Sequence, residues 1–377
     1  MKKLSRLIFI LVVLLIAFGM LPMLSASFAF SAKVYGDSFF MLTKQAVFAL
    51  IGIALMILFA NLHYETLRKF SIFGLILSLI GVIALFFFAS EVKGAKRSLP
   101  LMGFSVQPIE FARLAFIVHI SSMLAKQEEL VNDFKKGQVF PLFWLILSAA
   151  IIFRLPNVSN SIMFILIGLG LLYISKLRFS KLILTGFVLL TTAAAGAFAT
   201  SHGKDRIIDF YNRMSGSGET GFQIQQSIIG IGSGGIFGLG AGKSNMSNHF
   251  LPEAWGDFIF SIIGEEWGFL ITVLIVVLYL LLFLAGMKVA KDTNNLFGKY
   301  LAFGVSFSFI LYAFVNILVA TGKLPTTGLP LPFISQGGAS MLSMCTAFGI
   351  LINIASTNER AAEAGPSDTA VLPEASE

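Results

Sequence analysis

The chain alternates long apolar runs with short polar connections. Ten runs stand out, at 7–30, 43–62, 70–90, 109–126, 139–155, 160–175, 182–200, 257–286, 300–320 and 335–356. A bilayer's hydrocarbon core takes about 20 apolar residues in a helix. The pattern therefore predicts an all-α integral membrane protein with about ten transmembrane helices. The long interval 201–256 becomes a large loop between helices 7 and 8. One membrane domain is expected over 1–357, followed by a short tail, 358–377, whose small, acidic and proline-containing composition reads as disordered.

Composition supports this organisation. The chain has 377 residues, 56% hydrophobic and 12% charged, whereas a soluble domain carries about 25% charged residues. The net charge of +7 needs no nucleic-acid partner, because basic loops orient membrane proteins. With the N-terminus inside, the inner segments collect Lys2, Lys3 and Arg6, then Arg68 and Lys69, then Lys126, Lys135 and Lys136. Lys176, Arg178, Lys181, Lys288, Lys291, Lys299 and Arg360 follow on the same side. Both termini are then cytoplasmic and the large loop is extracytoplasmic. The first thirty residues have the basic start, apolar stretch and small residues of a signal peptide. Their apolar stretch is long enough to span, and keeping it as a helix makes the topology consistent. The single Cys345 lies in an apolar run, which excludes an intramolecular disulfide.

Two outer segments are rich in positive charge: 91–108, with Lys93, Lys96 and Arg97, which is an exception to the charge rule, and 201–256, with Lys204, Arg206, Arg213 and Lys243, which is long enough to escape it. They are either solvated loop charge at the headgroups or a means of capturing an anionic group, since Lys and Arg are the usual phosphate ligands.

Candidate chemistry concentrates in 232–268, where a glycine-rich polar loop meets the eighth apolar run at Asp257. An acid at a helix N-terminus is favoured by the helix dipole, so Asp257 is a cap, a functional carboxylate, or both. Glu265 lies about 12 Å deeper along the helix axis. Glu266 points to another side, and carboxylates at this depth are expensive without partners. Glu110 and Arg113, three apart at the start of the fourth run, share a helix face. They form either a self-neutralising structural pair or the lining of a polar cavity that opens outward. The glycine loop is not a phosphate-binding P-loop: that motif requires glycine six residues before Lys243, and position 237 is Phe. Its glycines more plainly serve tight turns. Thr321–Pro332 is too rich in Pro and Gly for a spanning helix, so it predicts an irregular segment packed against protein. His202 and His249 are isolated and belong to no metal-ligand cluster.

Several long motifs occur in a fixed order: Gln107-Pro108-x-Glu110-Phe111-Ala112, then Gln226-Ser227 leading to Ile231-Gly232-Ser233-Gly234-Gly235, then Leu251-Pro252-Glu253-Ala254-x-x-Asp257-Phe258-Ile259-Phe260. Gly264-Glu265-Glu266 follows, and then Leu324-Pro325-Thr326-Thr327-Gly328-Leu329-Pro330-Leu331-Pro332-Phe333-Ile334-Ser335. In these motifs the chain resembles the SEDS family (shape, elongation, division and sporulation) over about residues 5–357.

The resemblance implies a peptidoglycan glycosyltransferase of the bacterial cytoplasmic membrane that polymerises lipid II, an undecaprenyl-pyrophosphate-linked precursor, at the outer face. It implies a class B penicillin-binding protein, the transpeptidase, as partner, and no organic cofactor. The family's essential outer-loop aspartate maps onto Asp257, and the glutamate of its Ser-Glu-Phe-Ala-Lys motif maps onto Glu110. Asp257 is then the catalytic base or the ligand of a divalent cation, magnesium or manganese. Glu110, Arg113, Glu265 and Glu266 are expected to support the cavity. Some of Lys93, Lys96, Arg97, Arg206, Arg213 and Lys243 are expected to hold the pyrophosphates.

The chain departs from the family pattern at Arg113, usually Lys; at Leu155-Pro156-Asn157-Val158-Ser159-Asn160, where an acid commonly follows the proline; at Trp255-Gly256; and at Gln336. The run Gly240–Ser244 leans toward the FtsW-like division branch. The rival readings are a lipid-precursor flippase or transporter and a non-catalytic scaffold. The absence of an obvious repeat of matching halves leans against the transporter.

Overall fold

The computed structural model describes residues 3–89, 98–101, 104–155, 157–215, 222–244, 246 and 254–364. The chain is an all-α, multi-pass membrane protein. In order, the helices are α1 (Lys3–Tyr35), α2 (Phe40–Asn61), the short α3 (Glu65–Lys69), α4 (Ser71–Phe88), α5 (Pro108–Lys126), α6 (Val139–Phe153), α7 (Val158–Ile174) and α8 (Phe179–Ala199). They continue with α9 (Ser201–Ser215), α10 (Phe222–Ser233), α11 (Ile259–Asp292), α12 (Leu296–Ala320) and α13 (Gly338–Ala364). A small antiparallel hairpin, β1 (Leu99–Leu101) and β2 (Phe104–Val106), pairs Leu99 with Val106 and leads into α5.

Each of the ten apolar runs becomes a helix. Among the described residues nine helices are long and apolar enough to cross a membrane; α7, at 17 residues, is the short tenth. The largest differences from the expected edges are at α13, which runs on to Ala364, and at α11, which continues to Asp292. The interval 201–256 is not a simple loop, since it carries α9 and α10. The amphipathic pattern of Ser201–Ser215 carries no long apolar run, which is why hydropathy alone passes over it.

Burial separates centre from rim. In the apolar window of α13, 83% of residues are buried; in that of α8 the figure is 11%. Lipid tails are as apolar as leucine, so helices here associate by close approach rather than by escape from water. Small residues permit this. A Cβ on Gly349 of α13 would lie 3.0 Å from Met56 Cα of α2, and one on Gly19 of α1 would lie 2.9 Å from Ile334 Cα.

α11 is broken. Gly268 has φ 74° and ψ −176°, which interrupts the helical ladder within the bundle. Unpaired backbone polar groups are not tolerated in a membrane interior, and the glycine-rich chain after α10 supplies the partners. Leu239 N donates to Glu265 O at 2.9 Å and Gly240 N to Glu266 O at 3.0 Å, on one side of the break. On the other side Phe269 N donates to Gly235 O at 2.9 Å and Leu270 N to Ile236 O at 3.3 Å. Gly235, Gly238, Gly240 and Gly242 all have positive φ, so this stretch makes the tight turns that its sequence predicts.

The Pro- and Gly-rich stretch 321–337 is irregular, as its sequence predicts, and it packs into protein with Leu329, Leu331, Phe333 and Ile334 buried. Tyr279 Oη donates to Pro332 O and anchors it to α11. At the other end of the bundle, Glu359 accepts from Leu4 N at 2.7 Å and from Ser5 Oγ at 3.1 Å, capping the start of α1.

Candidate active site

Asp257 sits in a turn immediately before α11, with Phe258 in the cap position. Three successive carbonyls fix this turn. Trp255 O accepts from Gln336 N at 2.9 Å, Gly256 O from Ser335 Oγ at 2.6 Å, and Asp257 O from Asn316 Nδ2 at 2.9 Å. Ser335 Oγ also accepts from Leu331 N at 2.8 Å, and Gln45 Nε2 of α2 donates to Ser335 O at 3.2 Å. The backbone that carries Asp257 is therefore pinned between α12, α2 and the irregular stretch 321–337. Its side chain is half-buried.

Asp257 faces a cavity of about 270 Å³. The cavity joins three parts of the sequence that are far apart: Gln107, Ile109 and Glu110 at the start of α5, Asn157 and Asn160 at the start of α7, and Trp255–Asp257 before α11. Gly328, Pro330, Gln336 and Gly337 of the irregular stretch complete the wall. Most of the side chains here are amides and carboxylates, an unusual lining for a helical membrane bundle.

Glu110 does not enter the cavity as an isolated charge. Its Oε2 lies 2.6 Å from Arg113 Nη2, and both side chains are buried. Pro108 at the start of α5 places Glu110 in the first turn, and the i,i+3 spacing brings Arg113 to the same face. The Arg113 guanidinium also lies over the Tyr312 ring, 4.0 Å from its centroid. The planar fork can pair and stack at once, which an ammonium cannot do. Tyr312 Oη in turn donates to Asn160 Oδ1 at 2.7 Å. A polar chain thus runs from Glu110 through Arg113 and Tyr312 to Asn160, with both ends in the cavity wall.

Asn157, where relatives of the motif commonly carry an acid, is the N-cap of α7. Its Oδ1 accepts from Asn160 N at 3.3 Å and from Asn160 Nδ2 at 3.1 Å. Asn caps as well as Asp, so the departure keeps the helix start and removes a charge from the cavity. Trp255 packs against Phe30 of α1, with ring centroids 4.4 Å apart and planes tilted by 39°, which holds the ring against the bundle.

Of the residues expected from sequence, Asp257 and Glu110 line the cavity, with Arg113 standing behind Glu110. Glu265 and Glu266 do not line it, a correction to the expectation that they support it. They are buried on the far side of the turn, where they hold the glycine-rich chain: Ser244 Oγ donates to Glu265 Oε2, Ser244 N to Glu266 Oε1 at 3.3 Å, and Ser25 Oγ of α1 to Glu266 Oε1. The physical reason is the break at Gly268, which opens this face of α11 to the loop. Lys243 is exposed and is not among the cavity residues. Lys93, Lys96 and Arg97 lie outside the described residues, and Arg206 and Arg213 belong to α9 with only their backbone described. Sequence reading passed over Tyr312 and Asn316. Neither stands out in a run that also contains Ser306 and Ser308.

Comparison with known proteins gives the family and the fold. A family described as cell cycle protein, which groups FtsW, RodA and SpoVE, matches residues 5–360. A protein of Geobacter sulfurreducens named as a probable peptidoglycan glycosyltransferase FtsW is 33% identical over 356 residues, 94% of this chain and 95% of that protein. Stage V sporulation protein E of Bacillus subtilis is 31% identical over 351 residues, 92% of this chain and 96% of that protein. Among solved structures, the rod shape determining protein RodA of Thermus thermophilus shares the fold with a TM-score of 0.69 at 21% identity, covering 93% of this chain and 96% of that one. A chain from a peptidoglycan synthase complex that coordinates polymerization and crosslinking gives a TM-score of 0.75 at 19% identity, covering 93% and 97%. The chain belongs to the FtsW, RodA and SpoVE family of cell cycle proteins.

Proposed function

We propose that the Asp257 cavity is the polymerising site of this membrane-embedded peptidoglycan glycosyltransferase, and that its substrate is lipid II. The enzyme class follows from the family and from relatives named as peptidoglycan glycosyltransferases. The observation that carries the site is the convergence of Asp257 and Glu110 with the amides of Gln107, Asn157, Asn160 and Gln336 in one cavity. Amide side chains both donate and accept, which suits the hydroxyl and acetamido groups of an amino sugar.

In the reaction a sugar 4-hydroxyl oxygen bonds to the anomeric carbon of a second sugar. The bond from that carbon to the pyrophosphate oxygen breaks, and the lipid pyrophosphate leaves with the electron pair. The hydroxyl proton must go to a base within hydrogen-bond reach, and Asp257, a half-buried carboxylate in the wall, is the base proposed for it. Glu110 is paired with Arg113 at 2.6 Å and serves to shape the wall. Asp257 would alternatively hold a magnesium or manganese ion, which supplies positive charge to a departing pyrophosphate. Among the described residues no three His, Cys, Asp or Glu side chains converge. Such an ion would therefore be shared with water and substrate phosphates, as magnesium commonly is. Lys93, Lys96, Arg97, Arg206, Arg213 and Lys243 remain the cations proposed to meet the pyrophosphates on the outer side. A class B penicillin-binding protein is the proposed partner, and the division branch the proposed setting.

The test is glycan synthesis from lipid II by purified protein in detergent, with and without a divalent ion, beside Asp257→Ala. Glycan strands from the parent and none from the variant are expected. A parent that makes none even with its cognate transpeptidase, and that moves lipid II across liposomes, would replace polymerisation by transport. An active Asp257→Ala would remove this residue from the reaction.

A further inference from the structure

We infer that Asn316 is a positioning residue for the polymerisation reaction, acting through the backbone of Asp257; the reaction itself rests on the function proposed above. Asn316 lies in α12 and is 1% exposed. Its Nδ2 donates to Asp257 O at 2.9 Å and to Leu329 O at 2.8 Å, so both amide hydrogens are used. The two carbonyls also fix which end of the amide faces them, because only the NH2 group can donate. Its Oδ1 has no hydrogen-bond partner among the described residues. A buried amide that leaves one end unsatisfied is costly, and the two hydrogen bonds made by the other end offset that cost.

What that end does is join two separate walls of the cavity. Asp257 belongs to the turn before α11, and Leu329 lies between Gly328 and Pro330 of the irregular stretch; all but Leu329 line the cavity. Of the three groups that hold the carbonyls of Trp255, Gly256 and Asp257, two come from the irregular stretch itself, Gln336 N and Ser335 Oγ. Asn316 alone comes from a membrane-spanning helix, and one turn before it Tyr312 holds the Arg113 and Asn160 side of the same cavity. Residues 312 and 316 therefore set the Asp257 turn, the irregular wall and the α5–α7 wall from a single helix face. Asn316 touches no cavity space of its own, and this is why it is a positioning residue rather than a catalytic one.

The experiment compares the parent with Asn316→Asp, which keeps the side-chain shape and removes the amide donors, with Asn316→Leu, which removes every polar atom, and with Asn316→Gln, which keeps the donors and adds one methylene. Displacement of a reacting group by about 1 Å can cost about 100-fold in rate, so each variant should lose roughly 10- to 100-fold in kcat. KM for lipid II should stay within about two-fold, since no substrate-contacting group is removed. Full kcat in Asn316→Gln, or a loss in all variants that only tracks the fraction of folded protein, would overturn the assignment. Hydrogen exchange supplies the second measurement, and it is independent of turnover. Amides at 254–258 and 327–331 should exchange faster together in Asn316→Leu, although about 70 residues separate them in sequence. Unchanged exchange at either segment would overturn the inference even if the parent proved to be no polymerase, while an inactive parent with coupled exchange would count against the reaction alone.

Discussion

Gly268 and Gly238 meet backbone to backbone: a Cβ on Gly268 would overlap the Gly238 amide nitrogen, and one on Gly238 would lie 2.7 Å from the Trp267 carbonyl carbon. Both also have positive φ, 74° and 82°. Gly268→Ala and Gly238→Ala should therefore each cost about 3 kcal/mol or more, combining backbone strain with overlap. Gly242 has φ 77° but open space around its Cβ position. Gly242→Ala should cost only about 1 kcal/mol. Thermal unfolding followed by size exclusion in detergent would rank the three, and equal losses would contradict the contact.

The buried Glu110–Arg113 pair predicts a non-additive result. Glu110→Ala leaves the Arg113 charge enclosed against Tyr312 and should cost about 3–5 kcal/mol. Glu110→Ala combined with Arg113→Met removes both charges and should be more stable than the single change. A double variant less stable than Glu110→Ala would mean that Arg113 stabilises the fold without its partner.

Tyr312 has two separable parts. Tyr312→Phe keeps the ring under Arg113 and loses the hydroxyl bonded to Asn160, at a cost of about 1 kcal/mol. Tyr312→Leu also loses the cation–π contact and should cost a further ~1–2 kcal/mol. Melting temperatures of the two variants would separate the parts, and an identical loss would show that the ring contributes nothing beyond the hydroxyl.

Gly52 of α2 faces Cys345 of α13, with a Cβ at position 52 falling 2.9 Å from Cys345 Sγ. Gly52→Ala should cost about 1–3 kcal/mol through overpacking. Adding Cys345→Ala removes the sulfur and should restore part of the loss. Labelling of Cys345 by a thiol reagent in the folded parent should be negligible, because the residue is fully buried.

Nine of the ten helices were legible because each is a run long enough to cross a bilayer, and the shorter α7 because its apolar run stands between polar connections; run length survives without any knowledge of packing. Glu110, Arg113 and Asp257 were legible because charge at the edge of such a run demands a reason. Glu265 and Glu266 met the same criterion and were placed wrongly, since depth along a helix does not say which neighbour covers each face. What covers them is a stretch about twenty residues upstream whose path depends on the break at Gly268. That break shows in sequence only as one glycine among several. Asn316 was invisible for a different reason: a single amide in an apolar run has no partner in its own neighbourhood, and both of its partners are carbonyls, which every residue possesses. The amphipathic α9 was missed because hydropathy averages over its two faces.

Part of the cavity wall is built from Gly256, Gly328, Pro330 and Gly337. Such residues present main chain, and main-chain groups are the same whichever side chain a codon specifies. A small molecule that drew its affinity from these carbonyls and amides would leave the bacterium few point mutations by which to escape it. Replacing one of the glycines adds bulk where the chain must turn, as at Gly328 with φ 72°, so an escape that blocked the drug would tend to deform the enzyme as well. The drug-facing surface least open to resistance is therefore the one with the fewest side chains.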